Sequence, residues 1–435
     1  MRRLPLVGIA LSAVAVGTAV AGPSVPATPA NAVPFPSTSN AATWTTYEPS
    51  GRVARAAAWH WTAAGGNCCE TYVATTGKRL LEFGGTQPFY SDDRGASWHR
   101  VDFLTPGVNG EGALVAGPGG DVFGIGWDPY AGDRLQAVRY TARTQSWEVA
   151  EAPLKTPFFD REWITYAKGP FVVDGVTVPF VTIVRGGGVT RSIELISGDG
   201  LSYTTLSSPG LEAGTPAVPL TVPVVPNAAA DDWQPNPGTH TVPLNAGGVL
   251  LLNNDSDQLP CPAARLNATT LRWQCVTLPW TPRGVVRQDS RGWLTQTRQL
   301  GPTQFELSLS PDGGRTWREV VLSTPGGGAI DADFFDVKVS GRLGQAVVAT
   351  RATNAAGQGQ DLVWRVDVAR RQPRLVRTYT VGAGDVATGS DITAAAGDRY
   401  DFPSVALLPD GRIASSFFDR RTAGSPALAV LDSAR

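Results

Sequence analysis

The sequence has few of the residues on which most metal and redox sites depend. Its 435 residues include four cysteines, three histidines and one methionine. The histidines His60, His99 and His240 are scattered, and the cysteines lack the two-residue spacer of zinc-binding pairs. Phosphate-binding loops, dinucleotide fingerprints and the G-x-S-x-G nucleophile elbow are also missing. We therefore expect neither a metal site nor a cofactor.

The sequence also lacks an excess of positive or negative charge. Lysine and arginine number 37 against 38 aspartate and glutamate residues, which gives a formal net charge of −1. Nucleic acids and anionic membrane surfaces attract proteins that carry basic blocks or patches. After the N-terminal stretch, no run is apolar enough to span a bilayer. We expect a monomer with no nucleic-acid partner and no membrane association.

The N-terminus has the pattern of an export signal. Arg2 and Arg3 precede the apolar stretch Leu4–Val20, and small-residue cleavage sites follow it. An uncleaved membrane anchor is the alternative, because the apolar run nearly reaches spanning length. We predict a secreted protein divided into a signal peptide at residues 1–32, a flexible leader at 33–42 and one domain at 43–435.

The four cysteines suit an oxidising compartment. Four cysteines allow three pairings, which sequence alone does not distinguish. Cys261 and Cys275 lie 14 residues apart around a short excursion of the chain, so we expect a local disulfide between them. Cys68 and Cys69 would then be either a vicinal pair or two thiols.

A short motif recurs with the pattern S-x-D-x-G-x-[ST]-W. It is intact at residues 91–98 and 310–317, and it has one residue deleted at 197–203. Serine and aspartate side chains accept hydrogen bonds from nearby backbone N–H groups, and glycine supplies the positive φ that a tight turn needs. The motif therefore predicts a hairpin turn whose closing tryptophan opens the next strand.

This turn resembles the Asp-box, or BNR repeat, of sialidase-like β-propellers. The resemblance implies that the motif residues are structural and lie at the blade peripheries. Those residues are Ser91, Asp93, Gly95, Trp98, Ser310, Asp312, Gly314 and Trp317.

The motif and its degenerate copies mark out a regular repeat. The closing positions are Trp44, Trp98, Trp147, Tyr203, Trp273, Trp317 and Arg374, with a mean spacing of about 55 residues. Between them lie short alternating or β-branched runs separated by Gly, Asp and Asn, with no sustained helical period. We predict an all-β chain forming a single β-propeller of four-stranded blades, with seven blades favoured over six.

The ends of the chain suggest how such a ring would close. Only three strands are evident after Arg374's repeat, at residues 402–408, 412–418 and 427–431. A strand at residues 44–47 would supply the fourth strand of that blade, so that no open sheet edge remains. We therefore expect both termini to share one blade.

The motifs of catalytically active sialidases can be compared with this sequence to ask whether sialidase activity is expected. Their N-terminal Arg-Ile-Pro motif has no counterpart here. The segment from Phe402 to Gly411 resembles the sialidase segment that carries the nucleophilic tyrosine, and Phe402 occupies the nucleophile position. A phenyl ring cannot attack a sugar. Tyr400 lies two residues away, on the same face of a strand, so a displaced role is an alternative.

Several charged or aromatic residues are candidates for contact with a ligand at the channel mouth, although blade-to-blade packing would also explain them. They are Asp160, Arg161, Trp163, Arg351, Tyr400, Asp419 and Arg420. Three alternating carboxylates, at Asp331, Asp333 and Asp336, could in principle bind calcium. They lack the glycine-bearing loop of a calcium site, so we expect them on a solvent-facing strand edge.

Two functional hypotheses follow. The first is a propeller that binds an extracellular glycan or protein ligand at the channel mouth without sialidase chemistry. The second is a secreted exo-sialidase, or another glycoside hydrolase, with displaced catalytic residues. Fold by itself does not decide between them.

Overall fold

The computed structural model of the chain describes the strands and most of the turns between them. The described residues are 45–47, 53–54, 61–63, 72–76, 79–83, 88–93, 99–100, 111–128, 134–155, 160–187, 192–206, 241–244, 246–252, 261, 263–284, 286–289, 291–380, 403–419 and 425–431. At several strand ends, among them 160–163, 331–334 and 417–419, the description is of the backbone alone. The predicted signal peptide, the leader and Cys68–Cys69 lie outside these ranges.

The described chain consists of β-strands and turns, with short 3₁₀ helices at Pro118–Gly120 and Pro325–Gly327. Three strands precede the first complete sheet: β1 (Thr45–Tyr47), β2 (Val53–Ala54) and β3 (Trp61–Ala63). The next eight are β4 (Tyr72–Thr76), β5 (Arg79–Phe83), β6 (Pro88–Ser91), β7 (His99–Arg100), β8 (Glu111–Ala116), β9 (Val122–Asp128), β10 (Arg134–Thr141) and β11 (Ser146–Lys155).

The middle of the chain continues the same alternation of strand and turn. Its strands are β12 (Asp160–Val173), β13 (Val176–Gly187), β14 (Ser192–Ser197), β15 (Thr204–Leu206), β16 (Thr241–Pro243), β17 (Val249–Leu252), β18 (Ala263–Leu266), β19 (Trp273–Cys275), β20 (Arg287–Gln288), β21 (Leu294–Gly301), β22 (Gln304–Ser310) and β23 (Arg318–Ser323).

The C-terminal part completes the set. Its strands are β24 (Ile330–Ser340), β25 (Gln345–Thr353), β26 (Gly359–Asp367), β27 (Arg374–Thr380), β28 (Ser404–Leu407), β29 (Ile413–Asp419) and β30 (Ser425–Leu431). Within the described ranges, no helix has the length and apolarity needed to cross a membrane.

The strands pair into antiparallel four-stranded blades of a β-propeller, which confirms the predicted fold class. In the described part of the chain, six sheets have four strands each, and one further sheet has six. The expectation of seven four-stranded blades is therefore corrected to six. The exception is the sheet of β24–β27, because β1 pairs with the edge strand β27 and β2 pairs with β1.

An N-terminal strand completes the C-terminal sheet, but it is not the strand that the sequence predicted. The predicted partner of the C-terminal sheet, at residues 44–47, corresponds to β1, which pairs with β27 instead. The strand that completes the β28–β30 sheet is β3, which pairs with β30. The segment ending at Trp44 is a degenerate copy of the repeat. It identified a strand but not the sheet to which that strand belongs.

The first strand of each sheet packs against the first strand of the next. The contacts run in chain order through β4, β8, β12, β16, β20, β24 and β28, and β28 also packs against β4. Between neighbouring sheets lie apolar clusters. One of them joins Phe305 and Leu307 of the β20–β23 sheet to Phe335, Val348 and Trp364 of the next sheet.

Blades that are covered on both faces should have strands without polar–apolar alternation. Strands β25 and β26 show this, because every residue of each is buried apart from Gln345 and Thr353 at the ends of β25 and Asp367 at the end of β26. The side chains that fill these interfaces include Trp273 and Trp364, both almost completely buried.

Candidate functional site

A cavity of about 210 Å³ opens among the first strands of six sheets. Its walls are mainly apolar. The apolar residues that line it are Ala113, Leu114, Val115, Ile164, Pro243, Val286, Phe335 and Pro403. Polar residues of β12, β16, β20, β24 and β28 also line it. They are Thr165, Tyr166, Thr241, Arg287, Gln288, Asp336, Lys338 and Ser404.

Asp336 is the centre of the charged group in this cavity. Its Oδ1 accepts hydrogen bonds from the backbone N–H of Val337 at 2.8 Å and from Lys338 Nζ at 3.1 Å. Lys338 Nζ also lies 2.9 Å from Oδ2, and a guanidinium nitrogen of Arg287 lies 3.8 Å from Oδ1. Asp336 and Lys338 are two residues apart on β24, so both side chains point to the same face of the strand.

The surroundings of Asp336 favour its ionised form. Burial on its own raises the pKa of the carboxyl group, but the positive charges of Lys338 and Arg287 counteract it. Hydrogen bonds from Lys338 and from the backbone N–H of Val405 act in the same direction, and the resulting pKa lies below its ordinary value. The carboxyl group of Asp336 is therefore ionised at neutral pH.

Ser404 connects this carboxylate to two further sheets. Its hydroxyl donates to Asp336 Oδ2 at 3.4 Å and accepts a 3.1 Å bond from the backbone N–H of Val73 on β4. The backbone N–H of Val405 donates to the same Oδ2 at 3.1 Å. Asp336 thus holds β24 to β28, while Ser404 holds β28 to β4.

On another side of the cavity, β12 and β16 are joined by two threonines. The Thr165 hydroxyl donates to the backbone carbonyl of Thr241, and the Thr241 hydroxyl donates to Thr165. Tyr166, next along β12, packs its ring against Phe123 and Phe180. Burial, and to a smaller extent the charge of Asp121, raises the pKa of Tyr166, so this phenol stays neutral.

The ligand-binding residues predicted from sequence lie at one end of their sheets or outside the described residues. Asp160, Arg161 and Trp163 are in the first four positions of β12, and Asp419 is the last residue of β29. Their side chains are not described. In an antiparallel sheet, the start of the first strand lies next to the end of the second strand. The candidates on β12 and β29 therefore lie at corresponding ends of their two sheets. Tyr400, Phe402 and Arg420 lie outside the described residues.

Arg351 is the predicted ligand-binding residue whose side chain is described. It lies on β25, is 4% exposed and is opposite the fully buried Asp361 of β26. Asp361 in turn accepts a hydrogen bond from the Ser415 hydroxyl of β29. Arg351 is not among the residues that line the cavity.

The turns between the third and fourth strands have the hydrogen bonds that the serine–aspartate motif predicts. In the turn at residues 310–317, Ser310 donates to Asp312 at 2.8 Å and accepts from the backbone N–H of Gly314 at 2.7 Å. Ser91 donates to Asp93 in the same way. Gly95 and Trp98 lie outside the described residues.

The predicted disulfide is confirmed. Cys261 and Cys275 are bonded, with their Cα atoms 5.9 Å apart. The bond joins the segment just before β18 to the end of β19.

Comparison with known proteins gives similarity of structure only. No protein-family model matches the chain, and no curated protein sequence matches it. Solved structures similar to this chain include the WD40 domain of SCAP from fission yeast, with 8% identity, coverage of 83% of this chain and 84% of that one, and a TM-score of 0.34.

Two glycoside-processing enzymes are similar at the same level. The leech intramolecular trans-sialidase shares 11% identity over 85% of this chain and 68% of its own, with a TM-score of 0.32. The catalytic domain of a GH62 α-L-arabinofuranosidase from Coprinopsis cinerea shares 10% identity over 85% and 96%, with a TM-score of 0.30. At these identities and TM-scores, the similarities carry no argument about activity.

The charged residues of the cavity were largely missed by sequence reasoning. Asp336 was expected on a solvent-facing strand edge beside Asp331 and Asp333, but it is 8% exposed and lies in the cavity. The signal that could have identified Asp336 is its spacing from Lys338. The two residues are two positions apart on a first strand, so their side chains lie on the same face of the sheet. Ser404 lies in the segment that resembles sialidases, but nothing in that segment marked it as a cavity residue, and Arg287 had no distinguishing local pattern.

Proposed function

We propose that this chain is a secreted, sialidase-like Asp-box propeller whose blades form a closed ring. It binds an extracellular glycan or protein ligand at the mouth of the central channel, without sialidase chemistry. The observation that carries the proposal is the cavity among the first strands, with the Arg287–Asp336–Lys338 cluster in its wall. Ligand sites are typically concave, mostly apolar and provided with a few convergent polar groups.

The described cavity supports binding better than hydrolysis. Ordinary glycoside hydrolysis requires two carboxyl groups that flank the scissile bond. Among the described lining residues Asp336 is the one carboxylate, and protein donors occupy both of its oxygens. An aspartate held in this way is a poor nucleophile and a poor proton donor.

The lining tyrosine does not supply an alternative nucleophile. Nucleophilic attack by a phenol requires activation of its hydroxyl, usually by a nearby base. The pKa of Tyr166 is raised, and its ring is packed between two phenylalanines. A displaced sialidase would therefore have to use residues such as Tyr400, outside the described part of the chain.

A binding screen tests the proposal directly. The exported protein would be applied to an array of extracellular glycans and to immobilised extracellular proteins, alongside a Lys338→Gln variant. We expect binding that the cavity variant weakens. Arg298→Gln is the matched control, because Arg298 is paired with Glu306 but does not line the cavity. Binding unaffected by Lys338→Gln would place the ligand elsewhere and would contradict the proposed site.

Turnover of a fluorogenic sialoside separates the two functional hypotheses. We expect no turnover above a blank. Clear turnover that is lost in Tyr400→Phe and in Arg351→Ala would overturn the binding proposal and establish displaced sialidase residues. Terminal sequencing of exported protein tests secretion, and an intact N-terminus would contradict cleavage within residues 1–32.

A further inference from the structure

The sequence contains four aspartate–glycine pairs, at residues 174–175, 199–200, 312–313 and 410–411. The backbone nitrogen that follows an aspartate can attack the side-chain carboxyl group. Glycine obstructs this attack least, because it has no Cβ and permits the widest range of backbone angles. All four pairs lie in turns between described strands, so the surroundings of each turn decide which pair can react.

Two of these aspartates are held by donors within their serine–aspartate turns. Asp199 Oδ1 accepts hydrogen bonds from the backbone N–H groups of Leu201 and Ser202 at 2.8 and 2.7 Å. Asp312 accepts from the backbone N–H of Thr316 at 2.9 Å and from the hydroxyl of the same residue at 2.7 Å. These bonds would have to break before either carboxyl group could be attacked.

Donors to a carboxylate also oppose the reaction by keeping the group ionised. The hydrogen bond from the Thr316 hydroxyl, followed by that from its backbone N–H, lowers the pKa of Asp312 to about 2. A carboxylate has no hydroxyl to release as water, so attack requires the protonated form. Asp410 has donors of the same kind, because it accepts from the backbone N–H of Arg412 at 3.1 Å and from its guanidinium Nε at 3.0 Å.

Asp174 lies in a different environment, at the tip of the β12–β13 hairpin. With Gly175 it forms the two-residue turn between the paired residues Val173 and Val176, and both turn residues are exposed. Among the described contacts, its carboxylate has one hydrogen bond, of 3.1 Å from the exposed Thr204 hydroxyl, and none from a backbone N–H. Its carboxyl group is therefore the least restrained of the four.

The nitrogen that would attack Asp174 is also unobstructed. A Cβ built on Gly175 would meet no atom within 4 Å, whereas a Cβ on Gly200 would collide with the Phe123 ring. The peptide at Gly175 can therefore rotate towards the carboxyl group without displacing a packed neighbour. Gly313 is as open as Gly175, so the difference between those two pairs rests on the hydrogen bonds to the aspartate.

We propose that Asp174–Gly175 is a modification site, at which aspartate isomerises spontaneously to isoaspartate faster than at the other three pairs of the folded protein. The inference is independent of the proposed function. The Gly175 nitrogen forms a bond to Asp174 Cγ, and the carboxyl hydroxyl leaves with the amide proton as water, which gives a succinimide ring. Water then adds to the main-chain carbonyl and breaks its bond to the nitrogen, so that the chain continues through Cγ. The reaction needs no oxidant, reductant or other co-reactant.

Peptide mapping of the exported protein after prolonged incubation in mildly acidic buffer tests the inference. Electron-induced fragmentation locates isoaspartate, which has the same mass as aspartate. We expect isoaspartate to accumulate at Asp174 several-fold faster than at Asp199, Asp312 and Asp410. Each peptide is followed separately, because Asn109–Gly110 can also produce isoaspartate, by loss of ammonia.

The same measurement on protein unfolded in guanidinium chloride shows whether the fold causes the difference. Without their turns, the four pairs should isomerise at similar rates. A rate at Asp174 no faster than at the other three pairs of the folded protein would overturn the inference. An undiminished preference for Asp174 in the unfolded chain would also overturn it, since the local sequence would then be the cause.

Two substitutions at residue 174 test the chemistry, with thermal unfolding to verify that each variant is folded. Asp174→Glu keeps the carboxylate, but attack would have to close a larger ring, so isomerisation at this residue should stop. Asp174→Asn should react faster than the native protein, because an amide releases ammonia without first being protonated as a carboxylate must be. Persistent isomerisation in Asp174→Glu, or no gain in rate in Asp174→Asn, would contradict the succinimide route.

Discussion

The indole N–H of Trp273 donates a hydrogen bond of 2.8 Å to the carboxylate of Glu194. The two residues belong to neighbouring sheets, on β19 and β14, and Glu194 is completely buried. Its other oxygen lies 3.1 Å from the guanidinium Nε of Arg185, the residue opposite it on β13. A tryptophan that the sequence repeat marks as a turn position therefore also holds one sheet to the next.

Replacing Trp273 by phenylalanine should destabilise the fold. The ring would largely fill the same space, but Glu194 would lose its bond from the indole. Removing a hydrogen bond to a buried charged group lowers the free energy of unfolding by about 1.5–3 kcal/mol. Urea unfolding would measure the change. Trp317→Phe is the control, because its half-buried indole donates to a backbone carbonyl instead. An equal loss in both variants would contradict a special role for the Glu194 bond.

Two adjacent glycines in the turn at residues 310–317 should respond differently to alanine. Gly313 and Gly314 both have positive φ, so alanine strains the backbone at either position by about 1–2 kcal/mol. A Cβ at Gly313 meets open space, but at Gly314 it would collide with the Trp280 ring. We expect Gly314→Ala to cost about 1–3 kcal/mol more than Gly313→Ala. Equal unfolding free energies for the two variants would show that Trp280 can move aside.

The stability contributed by Asp336 should depend on pH. The pKa of Asp336 in the folded protein lies below its ordinary value, so its ionised form favours folding. That contribution is complete above the unfolded-state pKa of about 3.9 and is lost as the pH falls through the folded-state pKa. The stability difference between the native protein and Asp336→Asn should therefore shrink below about pH 4. A difference that grows on acidification would contradict this.

Lys338 accounts for part of this effect. In a Lys338→Gln background, replacing Asp336 by asparagine should change the pH dependence of unfolding less than in the native protein, because Lys338 is the largest source of stabilising charge. The two single variants and the double variant, measured from pH 2 to pH 7, form the cycle that tests the coupling.

The disulfide should stabilise the β16–β19 sheet. Cys261 and Cys275 close a loop with a sequence separation of 14 residues. By the chain-entropy relation, a loop of this length contributes about 3 kcal/mol. We expect the double variant Cys261→Ala with Cys275→Ala to unfold at correspondingly lower urea concentration. Unchanged unfolding, under conditions where the native bond is shown to be intact, would contradict it.

The repeat allowed the blade pattern to be predicted because turn chemistry is local. A serine, an aspartate and a glycine within eight residues are sufficient to form the hydrogen bonds seen between Ser310, Asp312 and Gly314. Strand alternation is local in the same sense. Both could therefore be identified without knowledge of the rest of the fold.

Such local patterns could not predict which sheet each edge strand joins. Strand β1 pairs with β27 and β3 pairs with β30, each across more than 300 residues of sequence. Backbone hydrogen bonds between strands form in the same way whatever the side chains are, so they do not specify which strand is the partner. Short strands with unpaired edges can join several sheets equally well.

By itself, the sequence determined an all-β chain of repeated hairpins, the serine–aspartate turns and the bond between Cys261 and Cys275, because each depends on residues close together in the chain. Only the tertiary structure decided that Arg287, Asp336 and Ser404 share one cavity and that Arg351 lies buried opposite Asp361. The physical reason is that the cavity forms where first strands from six sheets meet. Its charge and chemistry come from residues that no local periodicity connects.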